Sequence, residues 1–167
     1  MSEERTQFRE RTSWPGWVNA IFWGAIIVSC YPLLAGWDTQ LDFSTRLLIV
    51  GSILGGAVGF KILLGGLTVL VQETRVFVHL GAVPLIRTKV PFVDILGLAS
   101  VEYRPIREFG GWGVRGWGKK KAWTARGDRA VVLSLVGDRE LYIGSDHPQR
   151  LEERIRAVAG EQLHREA

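Results

Sequence analysis

Two stretches of roughly 20 residues, almost free of charge, occupy the first 66 positions, and they restrict what this chain can fold into more than any other feature. Residues 17–37 (WVNAIFWGAIIVSCYPLLAGW) contain no Asp, Glu, Lys or Arg, and residues 47–66 (LLIVGSILGGAVGFKILLGG) contain only Lys61. A helix needs about 20 apolar residues to cross about 30 Å of hydrocarbon, so each stretch is long enough to span a bilayer. The expected organisation is an N-terminal tail (1–16), a two-helix transmembrane hairpin (17–66), a β-domain with a C-terminal helix (67–160) and a flexible tail (161–167). The 101 residues from Leu67 onward hold 16 Lys and Arg against 12 Asp and Glu, and suffice for one small domain with its own core.

An apolar run behind a charged leader can also be a secretory signal, and residues 27–30 (IVSC) resemble a lipoprotein cleavage box. A spanning helix fits better. The leader balances Glu3, Glu4 and Glu10 with Arg5, Arg9 and Arg11, and the apolar run continues past Cys30 to Trp37. Trp14, Trp17 and Trp37 flank it as interfacial aromatics do. Cys30 is the sole cysteine, which leaves no disulfide or thiolate metal site within one chain. The loop between the spans carries a single base, Arg46, whereas the tail carries 16, so Lys and Arg retention puts both termini in the cytoplasm and the hairpin in the inner (plasma) membrane.

The second span carries Gly51, Gly55 and Gly59 at four-residue spacing, which exposes backbone along one face for close approach of another helix. That helix can be the first span, through Ala20 and Gly24, or it can belong to a second copy or another membrane subunit. Lys61 lies near the inner end and is expected to snorkel to the headgroups. One ionisable group is too few for a transport pathway.

Beyond Gly66 the period changes to two. Strands are expected at 67–71, 75–80, 85–93, 98–103, 121–125, 129–136 and 140–143, separated by Gly-, Pro- and Asp-rich turns that include Arg126, Gly127 and Asp128. A helix follows: Ser145 and Asp146 offer capping oxygens, Pro148 suits the first turn, Leu151, Ile155 and Val158 share a face, and Gly160 is the expected stop. About seven antiparallel strands followed by one helix resemble the pleckstrin-homology-like domains of bacterial membrane proteins, in which one or two spans lead straight into the domain. The stretches carrying the resemblance are 67–80, 90–95 (VPFVDI), 108–115 (EFGGWGVR) and 143–151 (IGSDHPQRL). It implies an α+β pleckstrin-homology-like fold. Eukaryotic relatives bind inositides through a basic loop between the first two strands, but Gln72, Glu73 and Thr74 stand here, so that activity does not carry over.

The most unusual segment is 108–123 (EFGGWGVRGWGKKKAW). Residues 104–121 alone carry Arg104, Arg107, Arg115, Lys119, Lys120 and Lys121 against Glu108. Gly111, Gly113 and Gly116 satisfy GxGxxG, but a lysine run and a strand follow where a phosphate-binding helix N-terminus would be needed. One reading is a glycine-bent hairpin whose tryptophans cover the core and whose lysines solvate an edge strand. The other is a docking patch of Trp112, Arg115, Trp117, Lys119, Lys120 and Lys121 for anionic lipid or an acidic protein, since tryptophan suits interfacial depth and each cation adds about 1 kcal/mol at such a surface. Nucleic acid is not expected from basicity confined to one segment.

His79, His147 and His164 stand alone, and neither Ser134 nor Ser145 has a nearby base or elbow motif. No catalytic group, cofactor, metal or small-molecule substrate is therefore expected. The sequence points to a non-enzymatic, membrane-anchored binding or scaffolding protein whose partners are membrane lipids and a protein or second copy. The alternative is an accessory or assembly subunit of a larger membrane complex.

Overall fold

A computed structural model of the protein describes residues 5–36 and 41–165, with Trp117 and residues 161–165 described in their main chain only. Two long apolar helices near the N-terminus lead into a β-rich region of two sheets, closed by a C-terminal helix. Helix α1 (Gly16–Leu34) and helix α2 (Phe43–Leu64) run for 19 and 22 residues at mean hydropathies of 1.6 and 2.2, long and apolar enough to cross a membrane. Asp42 caps α2 by accepting from the Thr45 N–H at 3.1 Å. Trp37, the expected outer aromatic, lies outside the described residues together with Asp38, Thr39 and Gln40.

The helices meet through Cys30, Val50 and Ala57, all buried, and through a Phe22–Phe60 stack at 5.6 Å with Trp14 edge-on to Phe60 at 5.7 Å. Lys61 is used between the helices instead of reaching for headgroups. Its ammonium donates to Asn19 Oδ1 on α1 and lies 5.4 Å and 5.7 Å from the Trp14 and Phe22 ring centres. Asn19 and the two ring faces sit at its level and satisfy the charge locally. The glycines take no part: a Cβ on Gly51, Gly55 or Gly59, or on Gly24 of α1, would meet nothing within 4 Å.

Residues expected as a tail form strand β1 (Thr6–Thr12), which pairs antiparallel with β2 (Leu67–Gln72) so that Thr12 faces Leu67. The helical hairpin is thus inserted between neighbouring strands of one sheet, and both its ends leave the same end of that sheet. Strands β3 (Arg75–Leu80) and β4 (Arg87–Pro91) complete the order β1-β2-β3-β4. The second sheet comprises β5 (Ile95–Glu102), β6 (Gly113–Trp117), β7 (Lys120–Thr124), β8 (Arg129–Leu135) and β9 (Arg139–Gly144) in the order β5-β8-β9-β7-β6. Helix α3 (Pro105–Phe109) bridges β5 and β6, and helix α4 (Pro148–Arg165) ends the described chain.

Three expectations change here. The described residues hold nine strands, not seven, the additions being β1 and β6. The sheets are not wholly antiparallel, because β9 inserts between β7 and β8 and runs parallel to β7 from Lys120↔Glu140 to Trp123↔Ile143. The turn at Arg126, Gly127 and Asp128 consequently joins strands that are not neighbours. The helix also passes Gly160 and continues to Arg165, so residues 161–165 are helical where a flexible tail was expected. One glycine costs a helix only about 1 kcal/mol, too little to stop one anchored by packing.

That packing is the core of the domain. Leu67, Val69, Val71, Val76 and Val78 from the first sheet meet Val131, Leu133 and Ile143 from the second, and Leu151 and Ile155 of α4 close the space; each is at most 1% exposed. Burying such a side chain contributes about 1.5–3 kcal/mol, so these two residues explain why α4 stays docked.

The domain is joined to the hairpin by main-chain contact. The Ala82 N–H donates to the Ile62 carbonyl at 2.7 Å, satisfying a carbonyl that the end of α2 leaves open, and the Gly81 N–H donates to the Gly66 carbonyl just beyond the helix at 2.8 Å. Gly81 sits at φ +74°, and a Cβ there would lie 2.2 Å from the Ile62 oxygen and 2.3 Å from the Leu63 oxygen. Only glycine allows this approach.

Candidate functional site

The basic, tryptophan-rich segment folds as α3 followed by the β6–β7 hairpin, on the edge of the second sheet. Glycine makes this possible: Gly113 and Gly116 both hold φ near +108°, and a Cβ on Gly116 would collide with the Lys120 carbonyl at 2.2 Å. Phe109 of α3 packs on Tyr142 and Tyr103, with ring centres 5.0 Å and 6.0 Å away, which lays the segment against the outer face of the sheet.

The hairpin separates the residues that the sequence grouped. Trp112 stands at the end nearest the helices: its ring centre is 6.3 Å from that of Trp17 at the start of α1, and its Nε1–H donates to the Gly127 carbonyl at 2.9 Å. With Trp14, Pro15, Val18, Gly113 and Ala125 it lines an apolar cavity of about 190 Å³ at the joint. Arg115, the third residue of β6, donates from Nε to the Trp112 carbonyl at 3.2 Å.

Lys119, Lys120 and Lys121 lie at the opposite end of the hairpin, a strand length of about 15 Å away. Trp117 is there too, paired through its main chain with Lys120. The registers put this end beside the β8–β9 turn, a shared cavity sets it against Thr88, Lys89 and Val90 of β4, and it is opposite the end where Trp112 meets Trp17. Lys119 pairs with Asp138 at 2.8 Å and Lys120 with Glu140 at 3.1 Å. The Lys119 hydrogen bond holds the Asp138 carboxyl below its ordinary value, and the Glu140 hydrogen bond raises Lys120. All four side chains are substantially exposed, so these pairs add little stability. Lys121, Lys89 and Arg139 carry no ion pair among the described residues, and with Lys119 they ring a cavity of about 150 Å³ that also touches Asp94 and Glu140.

Two polar features were not anticipated. Glu10 of β1 accepts from Ser145 Oγ at 2.7 Å and from the Asp146 N–H at 3.0 Å, fixing the first strand to the start of α4. Asp146 is not a helix cap; it forms a two-pronged pair with Arg126 at 2.7 Å and 3.0 Å. Neither pattern is visible in a sequence, because each joins residues far apart in the chain. His79 is buried on β3, and burial lowers its pKa from the ordinary 6.5, with Arg9 and Arg11 adding to the shift and the Leu80 carbonyl opposing it. Among the described residues no group of three His, Cys, Asp or Glu side chains is arranged to hold a metal ion.

No protein-family model matches the chain, and neither does any curated protein.

Proposed function

We propose that this is a membrane-anchored, non-enzymatic binding module: the helical hairpin spans the inner membrane, and a pleckstrin-homology-like domain presents a basic end to the cytoplasm. The pleckstrin-homology-like reading is supported by the β2–β3–β4 meander, the second sheet facing it and the α4 residues between them. It must accommodate β1 and the parallel β7–β9 pair as additions. The observation that carries the functional reading is the separation along the β6–β7 hairpin. Trp112 packs at the joint with the spans, while Lys119, Lys120 and Lys121 stand at the far end with Lys89 and Arg139. That geometry favours an acidic protein in solution over the headgroups of the anchoring bilayer, because a cation more than a Debye length of about 8 Å from a charged surface is largely screened from it.

The test uses the full chain in zwitterionic nanodiscs, since a fragment starting at Leu67 would lack β1. Binding to polyglutamate should be measurable and should weaken as salt rises. Replacing Lys119, Lys120 and Lys121 by Gln together should remove most of it. Equal binding by the parent and the triple variant would overturn the reading.

A second reading, an accessory subunit of a larger membrane complex, is favoured by the glycine face of α2. Among the described residues nothing lies within 4 Å of where a Cβ on Gly51, Gly55 or Gly59 would point, so the close approach they permit is available to another helix. Gly55→Leu should then leave the thermal stability of the detergent-solubilised monomer unchanged while reducing recovery of cross-linked assemblies. Loss of monomer stability, or unchanged cross-linking, would contradict it.

A further inference from the structure

The turn between β3 and β4, residues 81–86 (GAVPLI), is uncharged and projects three large apolar side chains into open space: Val83 is 43% exposed, Leu85 68% and Ile86 41%. Turns on the surface of a soluble domain are ordinarily polar, and contiguous exposed apolar groups mark a contact surface. Its internal structure is ordered, with the Leu80 N–H donating to the Ile86 carbonyl at 3.0 Å and the Leu85 N–H to the Val83 carbonyl at 2.8 Å.

Its position tells what it contacts. The turn begins on the last turn of α2, where the Ala82 N–H is bound to the Ile62 carbonyl and Gly81 is pressed on the Ile62 and Leu63 oxygens. Ile62 and Leu63 are themselves 42% and 38% exposed. The apolar surface of α2 therefore continues without a break onto the turn. Arg87 follows immediately and is exposed, so a cation stands at the rim of the apolar tip. Apolar side chains at the depth of a span's end with a basic rim behind them are the pattern of a segment lying in the headgroup and acyl boundary.

We propose that residues 82–86 insert into the leaflet from which α2 emerges, as a second, non-spanning anchor that fixes the tilt of the domain on the bilayer. The Trp17–Trp112 contact supports the domain beside α1, and this turn supports it beside α2. The proposal rests on the reading of α1 and α2 as spans, and its test separates the two.

Single cysteines at Leu85, Val83, Leu63 and Val136 are introduced into the full chain in a Cys30→Ala background, labelled with an environment-sensitive fluorophore and reconstituted into phosphatidylcholine–phosphatidylglycerol vesicles. Quenching by nitroxide-bearing lipids is then compared. Leu85→Cys and Val83→Cys should be quenched to the same degree as Leu63→Cys in α2 and several-fold more than Val136→Cys in the β8–β9 turn. Quenching of Leu63→Cys with Leu85→Cys and Val83→Cys as insensitive as Val136→Cys would overturn the anchor while leaving the spans intact. Absence of quenching at Leu63→Cys would overturn the spans and the anchor together.

Discussion

The two ends of the β-domain are built on different principles. At the end joined to the helices, contacts are mostly main-chain or apolar: Gly81 against α2, Trp14 against Phe60 and Trp112 against Trp17, with half-buried Glu10 hydrogen-bonded to Ser145. At the far end, contacts are exposed ion pairs between flexible side chains, Lys119 with Asp138 and Lys120 with Glu140. The first kind holds one geometry and tolerates little change. The second leaves charge available to another molecule. A single segment of 16 residues contributes to both ends, so its composition alone gives no role; position along the hairpin decides it.

This contrast orders the expected effects of mutation. Gly81→Val should be the most damaging, because the new side chain meets the Ile62 and Leu63 oxygens at a positive φ; a loss of about 2–4 kcal/mol is expected in detergent unfolding. Near-parental stability there would mean the joint is not rigid. Trp112→Ala removes the Gly127 hydrogen bond and the contact with Trp17 and should cost about 1–2 kcal/mol in the same assay. Glutamine at Lys119, Lys120 and Lys121 together should leave the unfolding midpoint almost unchanged, since exposed pairs contribute little. A larger loss would show that the far end is structural.

The smallest effect concerns pH. Burial lowers the His79 pKa from 6.5, so below that value the unfolded chain binds a proton that the folded chain does not. Stability should therefore fall as pH drops from 6.5 toward the lowered folded value, and be unaffected by this group above 6.5. The slope should shrink in His79→Gln, as read by chemical unfolding at stepped pH. An unchanged slope would remove His79 as its source.

Much of this architecture was legible in the sequence, and the gaps have physical causes. Charge-free length gave both helices, which fall at Gly16–Leu34 and Phe43–Leu64 inside or beside the expected spans. Alternation gave β3 to its last residue. Strand β1 escaped because its sequence, TQFRERT, offers one large apolar side chain, Phe8, and its anchoring group is a glutamate whose partners lie 135 and 136 residues away. Strand β6 escaped because glycine, which weakens strand propensity, is what its bends require at Gly113 and Gly116. The insertion of β9 between β7 and β8 is a choice among pairings that local pattern does not encode. For the candidate site, the sequence identified the segment and its charge but not the division between Trp112 and the lysines, since only the fold sets which end faces the helices. The glycine stripe was expected to meet either α1 or a helix of another chain; that α1 leaves it open is a result of packing through Phe22, Phe60 and Lys61.

The central claim is that the hairpin crosses the membrane and returns, leaving both β1 and the domain on the cytoplasmic side. Lys119→Cys in a Cys30→Ala background, treated with a membrane-impermeant thiol reagent, tests it most directly. The cysteine should stay unlabelled in sealed right-side-out spheroplasts and become labelled after lysis or in inverted vesicles. Labelling from outside intact spheroplasts would contradict the arrangement.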